Sequence, residues 1–301
     1  MKVLITDGIS PEAIKILTEA GHEVTDIKLT PEELLAQIPN YDCIIVRSAS
    51  KVTREVIEAG VNLKAIARGG VGLDNIDVAF AKEKGIPVLN TPGASSISVA
   101  ELAIAHMFAV SRFLQLSNTE MRQGKWPKKE YSKGIELTGK TLGLLGLGNI
   151  GREVAKRALG LGMKVIAFDP LVTETELNVK LGTKDDVLAN ADYLSLHIPL
   201  NKVEGAAIKA AEFDQMKKGV ILINCARGGV VDEAALLDAL NSGKVRYAGI
   251  DVFANEPVTE AQHGLINHPN VSVTPHIGAS TVEAQDRVGI EIAERVVAAL
   301  K

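Results

Sequence analysis

Three glycines in the middle of the chain have a spacing that lets a backbone turn hold a phosphate group. Gly146, Gly148 and Gly151 follow the apolar run 142–145 in the pattern G-x-G-x-x-G. Gly146 permits a tight turn, Gly148 has no Cβ to obstruct a pyrophosphate, and Gly151 lets a helix pack closely on a strand. Free N–H groups and the dipole of the following helix favour an anion there. The pattern predicts a dinucleotide-binding βαβ unit.

Asp169 bears on which dinucleotide would bind. It ends the apolar run 164–168 and lies 18 residues after Gly151. That is close to the spacing of the acid that binds the ribose hydroxyls. Because a carboxylate repels a 2′-phosphate, we predict NAD rather than NADP. The alternative is a glycine-rich turn of an α/β protein with another ligand, such as S-adenosylmethionine.

Arg227 follows a further apolar run, 220–224, in the sequence NCARGG. Ligands of an open α/β sheet bind beyond the carboxyl ends of its strands. A guanidinium offers two parallel donors to a carboxylate, and the two glycines after Arg227 permit close backbone approach. We predict that Arg227 binds a carboxylate; the alternative is a surface arginine in a turn.

Asp251 and His276 end the next two apolar runs, and Glu256 follows Asp251 by five residues. Reduction of a 2-keto acid needs a hydride donor, a cation for the carboxylate and an acid for the developing alkoxide. NADH, Arg227 and His276 would supply these, and Glu256 could hold His276 in one tautomer. Singly, a solvated glutamate or a core histidine is the commoner case. Their shared position after successive strands favours catalysis.

Parallel strands are the elements that would bring these residues to one edge. Apolar runs of strand length alternate with helical patterns, which predicts parallel sheets covered on both faces. The predicted strands are 2–6, 43–47, 65–67, 88–89, 141–145, 164–168, 193–197, 220–224, 247–251 and 271–273.

Helix signals flank these runs. Segments 11–20 and 30–37 carry start and stop residues, and 233–241 precedes a glycine. A longer helix is predicted from Ser98 to Leu116, because Ser98 and Glu101 form a capping-box pattern. It is apolar on more than one face, so we expect a neighbouring domain or subunit to bury it.

The alternation predicts two α/β domains. One doubly wound domain would span 98–280. Residues 281–301 form a helical pattern with no strands left to make a domain. We therefore expect them to return to the first domain, 1–97, which would be discontinuous.

Composition excludes several classes of protein. The 301 residues are 46% hydrophobic and 23% charged, with a net charge of −4 and no basic run, which argues against nucleic acid as a partner. No apolar segment approaches the roughly 18 residues of a membrane span, and the N-terminus is unlike a signal peptide. Cys43 and Cys225 are the two cysteines, and neither they nor the histidines show metal-ligand spacing. We expect a cytoplasmic protein with reduced thiols.

The motifs together resemble the D-2-hydroxyacid dehydrogenase family over nearly the whole chain. GLGNIG with Asp169, NCARGG, DVFANEP and TPHIGAS occur in family order. The resemblance implies a catalytic triad of Arg227, Glu256 and His276. It implies a Rossmann-type NAD-binding domain, 98–280, inserted into a flavodoxin-like substrate-binding domain, 1–97 with 281–301. It also implies an active site in the interdomain cleft and homodimers formed through the NAD-binding domains.

The resemblance also implies the cofactor contacts. Two positions depart from the family pattern: Asn149 replaces a frequent arginine, and Ile198 replaces a common threonine. Each change would remove one side-chain contact and leave the backbone cradle. The implied NAD-binding residues are Val71, Gly146, Gly148, Asn149, Ile150, Gly151, Asp169, His197, Ile198, Pro199, Cys225, Ala226, Arg227, Asp251, His276, Gly278 and Ala279.

Within the family, the first domain is most similar to the D-3-phosphoglycerate dehydrogenases. Arg47 and Ser48 follow one predicted strand, and Arg68, Gly69 and Gly70 follow another. A substrate with a phosphate and a carboxylate needs more cations than Arg227 alone, and the glycine turn offers N–H groups to an anion. We expect these residues to bind substrate together with Arg227 and His276. The alternative for both arginines is structural salt bridging.

The resemblance implies NAD-dependent oxidation of D-3-phosphoglycerate to 3-phosphohydroxypyruvate, as in serine biosynthesis. Because the sequence stops at Lys301, we expect no C-terminal serine-sensing domain. One alternative is another substrate of the family, such as glyoxylate, hydroxypyruvate or D-lactate. An alternative of another class is an NAD-sensing binding protein without turnover.

Overall fold

The apolar runs of the sequence become strands in the computed structural model, which describes all 301 residues. Most predicted strands occur within one or two residues of their expected ends. The strands are β1 (Lys2–Ile5), β2 (Glu23–Asp26), β3 (Cys43–Val46), β4 (Ala65–Arg68), β5 (Val88–Asn90), β6 (Thr141–Leu145), β7 (Lys164–Phe168), β8 (Lys180–Leu181), β9 (Tyr193–Leu196), β10 (Val220–Asn224), β11 (Val245–Ile250) and β12 (Val271–Val273).

Helices connect nearly all of these strands. The helices are α1 (Pro11–Glu19), α2 (Pro31–Gln37), α3 (Arg54–Ala59), α4 (Val78–Glu83), α5 (Ser96–Ser111), α6 (Leu114–Arg122), α7 (Asn149–Gly160), α8 (Lys184–Asn190), α9 (Ala210–Gln215), α10 (Glu233–Asn241), α11 (His263–Ile266) and α12 (Val282–Ala299). Short 3₁₀ turns cover Ile38–Asn40 and Glu260–Gln262. No single helix is long and apolar enough to cross a membrane; by length and composition alone, the bent pair α5–α6 meets that limit jointly.

The chain divides into two compact units, Met1–Ser96 with Ala279–Lys301, and Ile97–Gly278. The first contains a parallel sheet in the order β2-β1-β3-β4-β5, which is the flavodoxin-like order. Helices α1 and α12 pack together on one face of this sheet, where Ile292 and Val296 join the core. Helices α2 to α4 cover the other face.

The second unit contains a seven-stranded parallel sheet in the order β12-β11-β10-β9-β6-β7-β8. Numbered from β6, this is the Rossmann order with one added strand, and the chain reverses direction across the sheet between β6 and β9. Helices α5 and α7 bury one face, and α8 to α10 bury the other. The predicted class, two parallel-sheet α/β domains, is confirmed.

The capping box predicted at Ser98 and Glu101 is wrong. Helix α5 begins at Ser96, so Ser98 already lies inside it. The Ser98 hydroxyl donates to the Gly278 main-chain oxygen at 2.6 Å, and Glu101 forms an ion pair with Arg157 at 2.9 Å. Both side chains therefore bind residues that are distant in the sequence, and neither caps the helix. The helix also ends earlier than predicted, at Ser111, because Phe113 adopts a left-handed φ of 55°.

Candidate active site

The glycine turn lies at the point where the strand order of the second sheet reverses. Gly146 has a φ of 95°, and a Cβ there would collide with the main-chain oxygen of His197. A Cβ at Gly148 would meet no atom within 4 Å. Helix α7 begins at Asn149, and no side chain caps it. Glycine at 146 is therefore required by the turn, whereas glycine at 148 keeps clear the space in front of a helix N-terminus.

Asp169 is tied to this turn. One carboxylate oxygen accepts the Leu147 N–H at 2.8 Å, and the other accepts the Leu171 N–H at 2.9 Å. Its orientation is therefore set by the backbone. A clear cradle for a pyrophosphate and a fixed carboxylate beyond it fit a dinucleotide with a free ribose 2′-hydroxyl.

His197, Ile198 and Pro199 follow β9, which pairs with β6. The Nε2 atom of His197 is 2.9 Å from the Ser195 hydroxyl, and its Nδ1 is buried without a partner. Desolvation by burial lowers the pKa of His197 to about 4, so the ring is neutral at pH 7. The main-chain oxygen of His197 lies against Gly146 of the glycine turn.

The loop after β10 presents Arg227. The side chain of Asn224 accepts the Ala226 N–H and donates to the Arg227 main-chain oxygen, each at 3.1 Å. Arg227 itself donates from Nη1 to the Ala226 main-chain oxygen at 2.6 Å. Cys225 is buried, and desolvation raises the pKa of its thiol well above the ordinary value. Asn224 thus shapes the loop, and Cys225 remains an inert thiol.

His276 is the third residue after β12 and lies in a strained turn, with a φ of 54°. Its Nδ1 is 2.6 Å from one carboxylate oxygen of Glu256, whose other oxygen accepts the Phe253 N–H at 3.0 Å. A carboxylate only accepts hydrogen bonds, so Nδ1 carries the proton in this pair and Nε2 is left to exchange one. The side chains of His276 and Glu256 are 47% and 36% exposed, which leaves them accessible.

Asp251 supports the turn from below. It is 1% exposed and accepts the N–H groups of Ile277 and Gly278, both at 2.9 Å, and the Thr274 hydroxyl at 2.5 Å. Its main-chain oxygen accepts the His276 N–H at 2.8 Å. The Asp251 carboxylate therefore holds the backbone of the turn that carries His276.

Adjacent strands bring these groups to one edge of the sheet. Strands β10, β11 and β12 are neighbours, and the loops at their carboxyl ends carry Arg227, Glu256 and His276. A cavity of about 500 Å³ lies beside His276 and Glu256; its other lining residues are Phe253, Pro257, Val258, Ile266, Val273, Thr274 and Pro275. The arrangement places an oriented imidazole beside space for a small molecule, and it places Arg227 on the loop of a nearby strand.

The predicted substrate residues of the first unit lie at the carboxyl ends of β3 and β4, with Arg68 as the last residue of β4. Arg68 donates from Nε to the Arg47 main-chain oxygen at 3.0 Å and from Nη1 to the Gly72 main-chain oxygen. It therefore shapes the loop that contains Gly69 and Gly70. Arg47 donates its main-chain N–H to Asp7 at 2.7 Å, and its guanidinium has no carboxylate partner. Asn90 binds the Val71 main-chain oxygen at 2.7 Å.

Comparison with known proteins identifies the family. Residues 104–278, more than half of the chain, match the family described as "D-isomer specific 2-hydroxyacid dehydrogenase, NAD binding domain". The chain belongs to the D-2-hydroxyacid dehydrogenase family. The resemblance seen in the motifs is thereby confirmed, and NAD is the cofactor of this dehydrogenase domain.

Relatives of this dehydrogenase differ in their named substrates. A hydroxypyruvate reductase of Thermotoga maritima is 52% identical, over 98% of this chain and 97% of the relative. A D-3-phosphoglycerate dehydrogenase of Archaeoglobus fulgidus is 47% identical over 99% of this chain, which spans only 57% of that relative's length. Among solved structures, a glyoxylate reductase from Paecilomyes thermophila has a TM-score of 0.91 and 34% identity, covering 100% of this chain and 95% of its own.

The sequence did not point to every residue that builds this dehydrogenase site. Asn224 and Thr274 do not stand out in the sequence, because each is beside a more obvious chemical group. Both lie at the carboxyl end of a predicted strand, and this position is the signal that could have identified them. His106 gives one weak signal, a histidine within a mostly apolar helix.

Proposed function

We propose that this dehydrogenase oxidises D-3-phosphoglycerate to 3-phosphohydroxypyruvate, the reaction that begins serine biosynthesis. The 2.6 Å contact between His276 and Glu256 carries the reaction type, because it fixes the tautomer of an imidazole that lines a cavity of about 500 Å³. Arg227, on the neighbouring loop, would bind the carboxylate through its planar fork.

The residues would act as follows. Nε2 of His276 takes the hydroxyl proton, while Glu256 keeps Nδ1 protonated and steadies the imidazolium that forms. Bound NAD⁺ supplies the acceptor for the hydride that leaves C2 of the acid. The alcohol thus becomes a ketone, with the proton on His276.

The second unit would hold NAD and the first would recognise the rest of the substrate. The N–H groups of Asn149, Ile150 and Gly151 begin α7 and would face the pyrophosphate. Asp169 would bind the ribose hydroxyls, and Ile198 and Pro199 would lie against the cofactor. The remaining proposed contacts are Val71, Gly146, Gly148, His197, Cys225, Ala226, Arg227, Asp251, His276, Gly278 and Ala279.

Arg47 supports the phosphorylated substrate. Its guanidinium has no carboxylate partner, whereas that of Arg68 binds two main-chain oxygens of its own unit. Arg47 is therefore the cation available for a phosphate, with Ser48 beside it and the Gly69–Gly70 turn offering N–H groups. Similarity to D-3-phosphoglycerate dehydrogenases over 99% of the chain supports the same substrate.

A second candidate is reduction of hydroxypyruvate or glyoxylate by the same groups. The commitment of Arg68 to its own loop favours it, because that leaves one cation fewer for a phosphate. The 52% identity to a hydroxypyruvate reductase over nearly the full length of both chains also favours it.

NADH production at alkaline pH separates these candidates when D-3-phosphoglycerate is compared with D-glycerate and D-lactate. On our proposal, the phosphorylated acid has the highest kcat/KM. Arg47→Ala then raises KM for that acid about tenfold and leaves KM for D-glycerate unchanged, with Arg47→Lys as the matched control. Preference for the unphosphorylated acids favours the reductase. NAD binding without any turnover would instead indicate an NAD-sensing protein.

We also propose a homodimer formed through the NAD-binding domains. Several large apolar side chains of the second unit are exposed on α5, α6 and the loop after them: Phe108, Leu114, Leu116, Met121 and Trp126. A second copy of the chain would cover them. Sedimentation of the wild type should give a dimer, and Leu114→Glu should shift it toward the monomer. Both cysteines are free, in keeping with a proposed cytoplasmic location.

A further inference from the structure

A buried histidine that contacts neither Glu256 nor His276 lies against the strand that leads to His276. His106, in the middle of α5, is 2% exposed. Its Nδ1 is 2.8 Å from the Ser272 hydroxyl, and its Nε2 is 3.1 Å from the Thr274 hydroxyl. The ring therefore contacts both the strand and the first residue after it.

A glycine makes room for this ring. Gly249 of β11 pairs with Ser272 of β12, and an ideal Cβ at position 249 would lie 2.6 Å from the His106 Cβ. Real Cβ atoms do not approach so closely. The absence of a side chain at this position lets α5 press His106 against the two strands.

The direction of each hydrogen bond follows from Asp251. Its carboxylate can only accept, so the Thr274 hydroxyl donates its single proton to it. The Thr274 oxygen then accepts from the Nε2–H of His106, and the unprotonated Nδ1 accepts from Ser272. Burial lowers the pKa of His106, which keeps the ring neutral with one donor and one acceptor.

We propose that His106 is a positioning residue for the catalytic turn and acts through Thr274 and Asp251. In the neutral tautomer, the Nε2–H group of His106 donates to the Thr274 oxygen, so the Thr274 hydroxyl donates its own proton to Asp251. Asp251 in turn holds the N–H groups of the turn around His276. This inference rests on the proposed function, because it needs His276 to be the group that exchanges the substrate proton.

Two amide variants separate the two ring nitrogens. A glutamine at 106 can place its amide N–H near the position of Nε2, whereas an asparagine reaches only the position of Nδ1. His106→Gln should therefore keep kcat within about twofold of wild type. His106→Asn and His106→Leu should lower kcat about fivefold or more, with KM and the Kd for NADH within about twofold. Thermal melting identifies variants that fail to fold.

A double-mutant cycle tests whether His106 acts through Thr274. Thr274→Val removes the hydroxyl that connects the imidazole to Asp251. His106→Leu should then have no further effect on kcat in the Thr274→Val background, although it lowers kcat in the wild-type background. Independent, additive losses would show that His106 influences the turn by another route and would overturn the proposal.

An experiment that does not depend on turnover is NMR of the full chain with ¹⁵N-labelled histidine. The signals that are missing in the His106→Gln variant belong to His106. At neutral pH we expect a protonated Nε2 and an unprotonated Nδ1 for His106. The opposite tautomer, an exchanging mixture or an imidazolium would overturn the proposal even if the enzyme is active. If the wild type oxidises no 2-hydroxy acid, the proposed function fails, and so does the catalytic part of the inference, whatever tautomer is observed.

Discussion

Glu256 and His276 form a close side-chain contact at the carboxyl edge of the seven-stranded sheet, with 2.6 Å between Oε2 and Nδ1. The second oxygen of Glu256 is bound to the Phe253 N–H, so the carboxylate cannot turn away without losing a partner. The strained φ of His276 is held by the main-chain oxygen of Asp251. Both members of the pair are therefore oriented before a substrate arrives.

Removal of the charge on Glu256 should slow the chemical step. In Glu256→Gln, the amide keeps the shape of the side chain but can present its N–H groups to Nδ1, which favours the wrong tautomer of His276. We expect kcat to fall about 10- to 100-fold, with the Kd for NADH unchanged. Steady-state kinetics and fluorescence titration measure the two quantities. Wild-type kcat in Glu256→Gln would exclude this role for Glu256.

Gly148→Ala should separate cofactor binding from folding. The added Cβ meets no protein atom within 4 Å, and the φ of −73° suits alanine. Thermal stability should therefore stay at the wild-type level, while the Cβ obstructs the pyrophosphate and raises the Kd for NAD at least about tenfold. Gly146→Ala is the contrasting variant, because its Cβ collides with His197 and should lower stability as well. Unchanged NAD affinity in Gly148→Ala would contradict the cradle.

Asp169→Asn should relax the preference for NAD. Asparagine retains an oxygen for the Leu147 N–H but lacks the charge that repels a 2′-phosphate. We expect the ratio of kcat/KM for NADP to that for NAD to rise about tenfold. Asp169→Glu is the control that keeps the charge. An unaltered ratio in Asp169→Asn would assign cofactor selection to other residues.

His197 should make folding stability depend on pH. Burial lowers the pKa of His197 to about 4 from the usual 6.5 of a histidine. Between pH 6.5 and 4 the unfolded state binds a proton that the folded state does not. The contribution of His197 to the free energy of unfolding is complete above pH 6.5. It falls as the pH is lowered toward 4, by at most about 3 kcal/mol.

Urea unfolding at pH 7, 6 and 5 measures this effect. His197→Asn should lose this part of the pH dependence, whereas His263→Gln, at an exposed position, should retain it. Equal pH dependence in the wild type and His197→Asn would mean that His197 titrates alike in the folded and unfolded states.

Local patterns were sufficient to predict much of the second sheet. The predicted strands 141–145, 164–168, 220–224 and 271–273 agree with β6, β7, β10 and β12. Buried parallel strands are apolar along their whole length, so their residues identify them without knowledge of their neighbours. The glycine turn is equally local, because Gly146 and Asp169 belong to one βαβ unit.

Elements that depend on distant partners were not predictable. Strand β2 reads Glu23–Asp26, is partly exposed and forms an edge, so it lacks an apolar run. Ser98 fits a helix cap by sequence, but its actual partner is Gly278, 180 residues away. His106 and Thr274 are 168 residues apart, and no local pattern connects them. Tertiary contacts override the local signals at such positions.

The most direct test of proton transfer by His276 is to measure kcat and NADH binding for His276→Asn, with the 2-hydroxy acid that the wild type oxidises best. Asparagine retains a polar group at the position of Nδ1 but has no Nε2. We expect kcat at least about 100-fold below wild type, with the Kd for NADH within about twofold. A kcat within a few-fold of wild type would contradict the assignment of His276 as the proton acceptor.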